Sequence, residues 1–186
     1  MLWLLARTCA YNIPVIPSLD ECRTDAVFSP CERYRYTLER IWDEHKPFAN
    51  FICLNPSTAT ATKDDPTNRR CRGFAWDWGM GGMITTNVFG WRSTDPKGLK
   101  DPEEPVGADN DRWIMEIASR AGVVVVAWGN HARLNSRSRD VARLLLDAGI
   151  IATALAVNGS GEPKHPLYLS AELRPQPFDL SALAGL

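Results

Sequence analysis

The sequence holds no G-x-x-x-x-G-K-[ST] loop, which argues against an ordinary phosphate-cradling NTPase. No G-x-G-x-x-G fingerprint follows a strand pattern, and neither H-E-x-x-H nor a G-x-S-x-G elbow occurs. An excess of charge of either sign is also missing. Lys and Arg total 21 against 22 Asp and Glu, for a formal net charge of -1. A general basic coat for nucleic acid is therefore absent, and any contact with DNA or RNA needs a local basic patch. The five cysteines, Cys9, Cys22, Cys31, Cys53 and Cys71, are odd in number and form no C-x-x-C pair. That weakens zinc-ribbon and redox-motif readings and favours reduced thiols; the spacing gives an iron–sulfur cluster little support. No long hydrophobic run is present. The opening Met1–Arg7 stretch is apolar but short, with no basic segment ahead of it. A soluble cytoplasmic protein is expected.

What is there suits one folded domain. The length of 186 residues favours a single unit, and 45% hydrophobic with 23% charged residues allows an ordinary core. Seven tryptophans are many for this length; they fill cores or stack on bases, so the count alone does not decide. Residues 1–30, with Pro14, Pro17 and Pro30, show no period and read as an irregular N-terminal arm. Residues 31–186 read as the α/β domain.

Tyr34, Tyr36 and Leu38 alternate in the manner of an edge strand. Phe48–Leu54 is a short apolar run that empties into Asn55-Pro56, as a buried strand does. Asp65-Pro66 marks a helix start, with Asp65 as N-cap and Pro66 in the first turn; the helix runs through Cys71, Phe74 and Ala75. Met83–Phe89 is a second strand. A helix from about Asp109 to Arg120 turns Trp113, Ile114, Ile117 and Ala118 to one side. Val123–Trp128 is the strongest strand, covered on both faces. A further helix spans Arg139–Ala148, with Val141, Leu144 and Leu145 inward, and Ile151–Val157 is a last strand. The alternation of strands and helices predicts a mostly parallel sheet between helical layers.

Polar clusters follow each of these strands: Asn55-Pro56-Ser57 with Thr58, Asn87 with Trp91-Arg92, Asn130-His131, and Lys164-His165. In a parallel sheet all of these ends point to one edge, where ligands bind. Each cluster alone is also what a turn or a cap looks like. Side-chain amides such as Asn55, Asn87 and Asn130 present a donor and an acceptor side by side, which suits the edge of a nucleobase.

The motifs Leu54-Asn55-Pro56-Ser57-Thr58-Ala59, Asp64-Asp65-Pro66-Thr67 with Arg70-Cys71, Thr86-Asn87-Val88-Phe89 with Arg92-Ser93-Thr94-Asp95-Pro96, Ala127-Trp128-Gly129-Asn130-His131 and His165-Pro166-Leu167-Tyr168-Leu169 resemble a bacterial and phage family, domain of unknown function 1643. The likeness runs from Tyr34 to about Leu169. The same order of motifs is distantly similar to the uracil-DNA glycosylase superfamily. That resemblance implies a three-layer α/β/α sandwich around a mostly parallel four-stranded sheet, and hydrolysis of the N-glycosidic bond of a damaged or modified base in DNA.

On that likeness Asn55 positions the attacking water and His165 stabilises the departing base. Asn87 reads the base, Phe74 or Trp91 stacks on it, and Pro56, Ser57, Asn130 and His131 complete the binding face. Arg70, Arg92, Arg133 and Lys164 are the candidate phosphate contacts, and Leu169 is the wedge that fills the vacated stack. Two departures stand out. The glycine of the first motif is Cys53 here, and an aspartate is replaced by Asn55, which orients water but takes no proton. Asp64 and Asp65 are weak metal candidates, with a helix cap as the plainer reading of Asp65. No cofactor is expected. The alternatives are a non-catalytic module that binds modified bases, and a metal-dependent enzyme that modifies nucleotides or bases.

Overall fold

The computed structural model describes residues 15–100 and 102–185. Its strands are β1 (Arg23–Phe28), β2 (Arg35–Ile41), β3 (Phe48–Cys53), β4 (Gly82–Asn87), β5 (Val123–Val126), β6 (Ala152–Ala154) and β7 (Gln176–Pro177). The helices are α1 (Pro66–Asp77), α2 (Asn110–Ala118), α3 (Arg137–Asp147) and the short α4 (Ser181–Ala184). All the strands join one mixed sheet in the order β1-β2-β4-β3-β5-β6-β7. The expectation of a four-stranded sheet is thereby corrected to seven strands. β4, β3, β5 and β6 run parallel; β2 pairs antiparallel with β4, β1 antiparallel with β2, and β7 antiparallel with β6.

Two further expectations are corrected. β2 is not an edge strand, because β1 pairs with it along Arg23–Phe28, within the segment expected to be an irregular arm. Pro17 and Pro30 flank this strand without entering it, and its half-exposed residues carry little apolar signal. Pro14 and the segment before it lie outside the described residues. Helix α1 begins as expected: Asp65 caps it by accepting the Asn68 N–H at 2.8 Å, with Pro66 at its first position.

Alternation along the strands divides the core between the two faces. Ala49, Phe51 and Cys53 of β3, with Val125 and Ala127, pack under α1 against Cys71, Phe74 and Ala75. Ile52, Val124, Val126 and Trp128 face α2, α3 and α4, against Ile114, Val141, Leu145 and Ala184. Leu144 is only half buried and stands outside that cluster. From β3 the chain passes through α1 to β4 on one side. It then passes through α2 on the other face to β5 on the opposite side of β3. Strand order therefore reverses between β3 and β5. At such a reversal the loops leaving the two strands part and open a crevice at the carboxyl edge of the sheet.

Candidate functional site

A cleft of about 610 Å³ lies in that crevice. Asn55 and Ser57 leaving β3 line it, as do Trp128, Gly129 and His131 leaving β5, and His165 from the loop after β6. Beneath it is a second cavity of about 30 Å³, the share of one water in the liquid. The two spaces share Asn55, Ser57, Asp65, Thr67 and His165. Asn87, at the end of β4 and paired in register with Cys53, borders the small cavity. Asn55, Asn87 and His165, predicted from three separate strand ends, thus border one space.

Hydrogen bonding fixes how each of the three presents itself. The Asn55 Nδ2 donates to the Ser93 carbonyl at 2.8 Å and to the Pro56 carbonyl at 3.1 Å. Two carbonyl oxygens can only accept, so the amide nitrogen must face them and Oδ1 is left as a free acceptor. Asn87 is 2% exposed, and its Nδ2 has no partner. The strand end below it is held firmly: Asn110 donates to the Asn87 and Val88 carbonyls, and the Arg137 Nε donates to the Val88 carbonyl at 2.6 Å. His165 accepts the Leu167 N–H at Nδ1, at a long 3.5 Å. In the neutral ring this leaves the proton on Nε2. Burial pushes the imidazole below its ordinary 6.5, with Asp65 opposing the shift.

Arg35 and Asp65 complete the small cavity. Arg35 is 2% exposed, donates to the Ala59 carbonyl at 2.5 Å, and keeps an unpartnered Nε. Burial lowers its guanidinium to about 10, while the nearby Asp65 carboxylate works in the opposite direction. Strict alternation from Ile41 would turn Arg35 toward α2. The β1–β2 register instead passes from Val27↔Thr37 to Phe28↔Arg35, so Tyr36 is the extra residue of a bulge. Bulges re-aim side chains, and Arg35 reaches the α1 side.

The loop that carries His165 is built on a buried carboxylate. Glu162, 1% exposed, accepts from the Trp128 indole at 2.8 Å, the Ser138 hydroxyl at 2.8 Å and Arg133 at 3.3 Å. Gly129 (φ 73, ψ -177) takes a backbone conformation open essentially to glycine and donates to the Pro163 carbonyl.

Several candidates stand elsewhere. Phe74 is 1% exposed, stacks on Trp78 in the core under α1, and lines neither cavity. Its spacing from Cys71 on α1 puts both on the core-facing side. Trp91 packs edge-on against Tyr34 beside an open groove of about 530 Å³ that joins the cleft at Ser57, Ser93 and Thr94. Pro56 is buried; its carbonyl accepts the Ser93 N–H, and Thr58 lines only the neighbouring groove. Asn130 is exposed at the cleft, where its Oδ1 accepts from Ser160 at 2.7 Å.

Three of the four basic candidates are engaged with the protein itself. Arg70 donates to the Leu169 carbonyl and lies 4.7 Å over the Phe74 ring. Arg92 donates to the Glu32 carbonyl, and Arg133 to Glu162 and the Ser160 carbonyl. Lys164 is exposed, and its side chain meets no hydrogen-bond or ion-pair partner among the described residues. Leu169 packs on the core under α1, whereas its neighbour Tyr168 is 93% exposed at the cleft.

Both oxygens of Asp64 are taken, by Arg40 at 3.0 Å and Arg72 at 2.7 Å. Among the described residues no group of three or more His, Cys, Asp or Glu side chains is arranged to hold a metal. Cys22, Cys31, Cys53 and Cys71 are free thiols; Cys9 lies outside the described residues. No described helix is long and apolar enough to cross a membrane.

Lining residues that the sequence does not point to include Arg35, Asn68, Thr85, Trp128, Asn158 and Tyr168. The exposed aromatic after His165-Pro166 was the readable signal for Tyr168. The bulge hid Arg35. A search of curated proteins and a search of solved structures each return no match. Residues 35–167 match the family described as a protein of unknown function (DUF1643), and with well over half its length matched this chain belongs to that family.

Proposed function

We propose that the cleft binds a nucleobase and that the protein hydrolyses the N-glycosidic bond of a damaged or modified base in DNA. The observation that carries this reading is the unpartnered Asn87 Nδ2, buried at the floor of a cavity shared with Asn55 and His165. A buried donor without a partner costs about 1–3 kcal/mol, and one that borders a cavity is placed to meet a ligand acceptor such as a base keto oxygen, directly or through a water. The cleft above is wide enough for a base with its sugar.

In this reading each group has one task. Asn87 reads the base edge. The Asn55 Oδ1 holds a water beside C1′. The His165 Nε2–H lies against the departing base and stabilises the negative charge that gathers there, an effect of the oxyanion-hole kind. A neutral imidazole suits this role, and burial keeps it neutral near pH 7. A base presented in this way must first leave its stack, which costs a few kcal/mol.

The test is release of free base from oligonucleotides carrying deaminated or alkylated bases. Asn55→Ala and His165→Ala are expected to lower the rate by about 100-fold or more, with binding of the same oligonucleotide retained. Absence of base release across the panel refutes excision. A gel shift with a modified oligonucleotide and no product would then point to a binding module.

A further inference from the structure

We propose that Asp65 is the general base of this site, supplying the carboxylate that the Asn-Pro-Ser segment lacks. The inference rests on the glycosidic hydrolysis proposed above. Asp65 is the N-cap of α1, but capping uses one oxygen only: Oδ1 accepts the Asn68 N–H at 2.8 Å and the Asn68 Nδ2 at 2.9 Å. Oδ2 makes no hydrogen bond among the described residues, and the side chain lines both the cleft and the cavity beneath it. Its neighbour Asp64 cannot serve, because Arg40 and Arg72 occupy it.

The placement fits the chemistry. Asn55, whose free Oδ1 can only accept, borders the same cavity as the Asp65 carboxylate. A water shared by the two donates one hydrogen to each oxygen, and a lone pair is left for C1′. As the glycosidic bond breaks, its electron pair goes to the base nitrogen. The water oxygen bonds to C1′, and its proton passes to Oδ2. The departing base then takes up one proton, from Oδ2 or through solvent, giving the free base and the sugar hydroxyl. Net, one water is consumed and nothing is oxidised or reduced. The carbon under attack is cationic, so a weak base suffices, and the negative charge of the carboxylate also stabilises the sugar cation. Arg35 lines the same cavity, and the Asp65 carboxylate favours its charged form.

The test exploits the two jobs of Asp65. Asparagine caps a helix as well as aspartate does, so Asp65→Asn keeps the fold but removes the base. Single-turnover release from uracil- and hypoxanthine-containing oligonucleotides is compared in the wild-type protein, Asp65→Asn and Asp65→Ser, together with thermal unfolding and oligonucleotide affinity. The expected result is a fall in the single-turnover rate constant of about 100-fold or more in both variants, with oligonucleotide affinity and unfolding temperature close to wild type. Either variant retaining a third or more of the wild-type rate overturns the role of Asp65 while leaving the proposed function standing. If the wild-type protein releases no base from these oligonucleotides or from the alkylated members of the panel, both fall together. Should Asp65→Asn unfold, the serine variant carries the comparison, since serine is an equally good cap.

Discussion

Replacing Asp64 with alanine takes the counter-charge from two guanidiniums at once. The Arg40 side chain is 0% exposed and that of Arg72 is 12% exposed. Arg72 keeps its bond to the Pro17 carbonyl and is partly open to water, whereas the fully buried Arg40 is fixed by its bonds to the Glu39 and Thr60 carbonyls. Breaking a buried pair by removing one partner costs about 3–5 kcal/mol, mostly as an uncompensated buried charge. Against a total stability of about 5–15 kcal/mol, this is a large fraction. For a chain of this size it corresponds to a fall of roughly 6–20 °C in Tm. Urea unfolding followed by tryptophan fluorescence measures it, with seven tryptophans for signal. The double variant Asp64→Leu with Arg40→Met is expected to recover most of the loss, because removing both charges of a buried pair is often neutral. A loss below about 1 kcal/mol for Asp64→Ala would refute the claim that this carboxylate acts as a structural counter-ion. The same variant bears on metal chemistry. Base release by the wild-type protein that survives a chelator, with Asp64→Ala impaired in proportion to its unfolding, assigns Asp64 to the scaffold.

Two more predictions concern pH and salt. Burial holds the His165 imidazole below 6.5, so the unfolded chain binds the proton more readily than the folded one. Stability is therefore complete above pH 6.5 and declines as pH falls below it; His165→Gln should flatten that segment of a stability-against-pH curve, and an unchanged slope would contradict the assignment. Of the four basic candidates only Lys164 carries a free side chain, so DNA affinity should fall shallowly with salt. A slope of log K against log salt near -1 to -2 is expected, and one steeper than about -5 would reveal a basic track that these residues do not form.

The parts legible in the sequence were those governed by local rules. Asp65-Pro66 announces a helix start because the cap and the fixed φ of proline act within one turn. Val123–Val126 announces a central strand because both of its faces are covered. The convergence of Asn55, Asn87 and His165 was readable because parallel strands send their ends to one edge. What escaped depended on distant contacts. Strand β1 exists through its pairing with β2 and has no strong pattern of its own. An antiparallel strand brings its beginning, not its end, to the carboxyl edge of a parallel core, so Arg35 enters the site from a position that a search of strand ends passes over. Phe74 was placed at the base because aromatics stack, yet its helical spacing from Cys71 and Ala75 already put it in the core. Three of the four candidate phosphate contacts bond within the protein for a reason composition does not show: an arginine fork finds backbone carbonyls as readily as a ligand.

Helix α1 holds Asp65 at its start and, five residues on, Arg70 gripping the Leu169 carbonyl in the segment that carries His165. A rise of 1.5 Å per residue makes this interval about 7.5 Å along the axis. The helix thus works as a ruler between two parts of the cleft lining, and its accuracy depends on an unbroken count of residues. One residue inserted between Thr67 and Arg70 would turn the arginine by about 100° away from its carbonyl. The strand ends would stay in place while the His165 loop lost its gauge. Changes of length, more than changes of side chain, are what this helix should tolerate least.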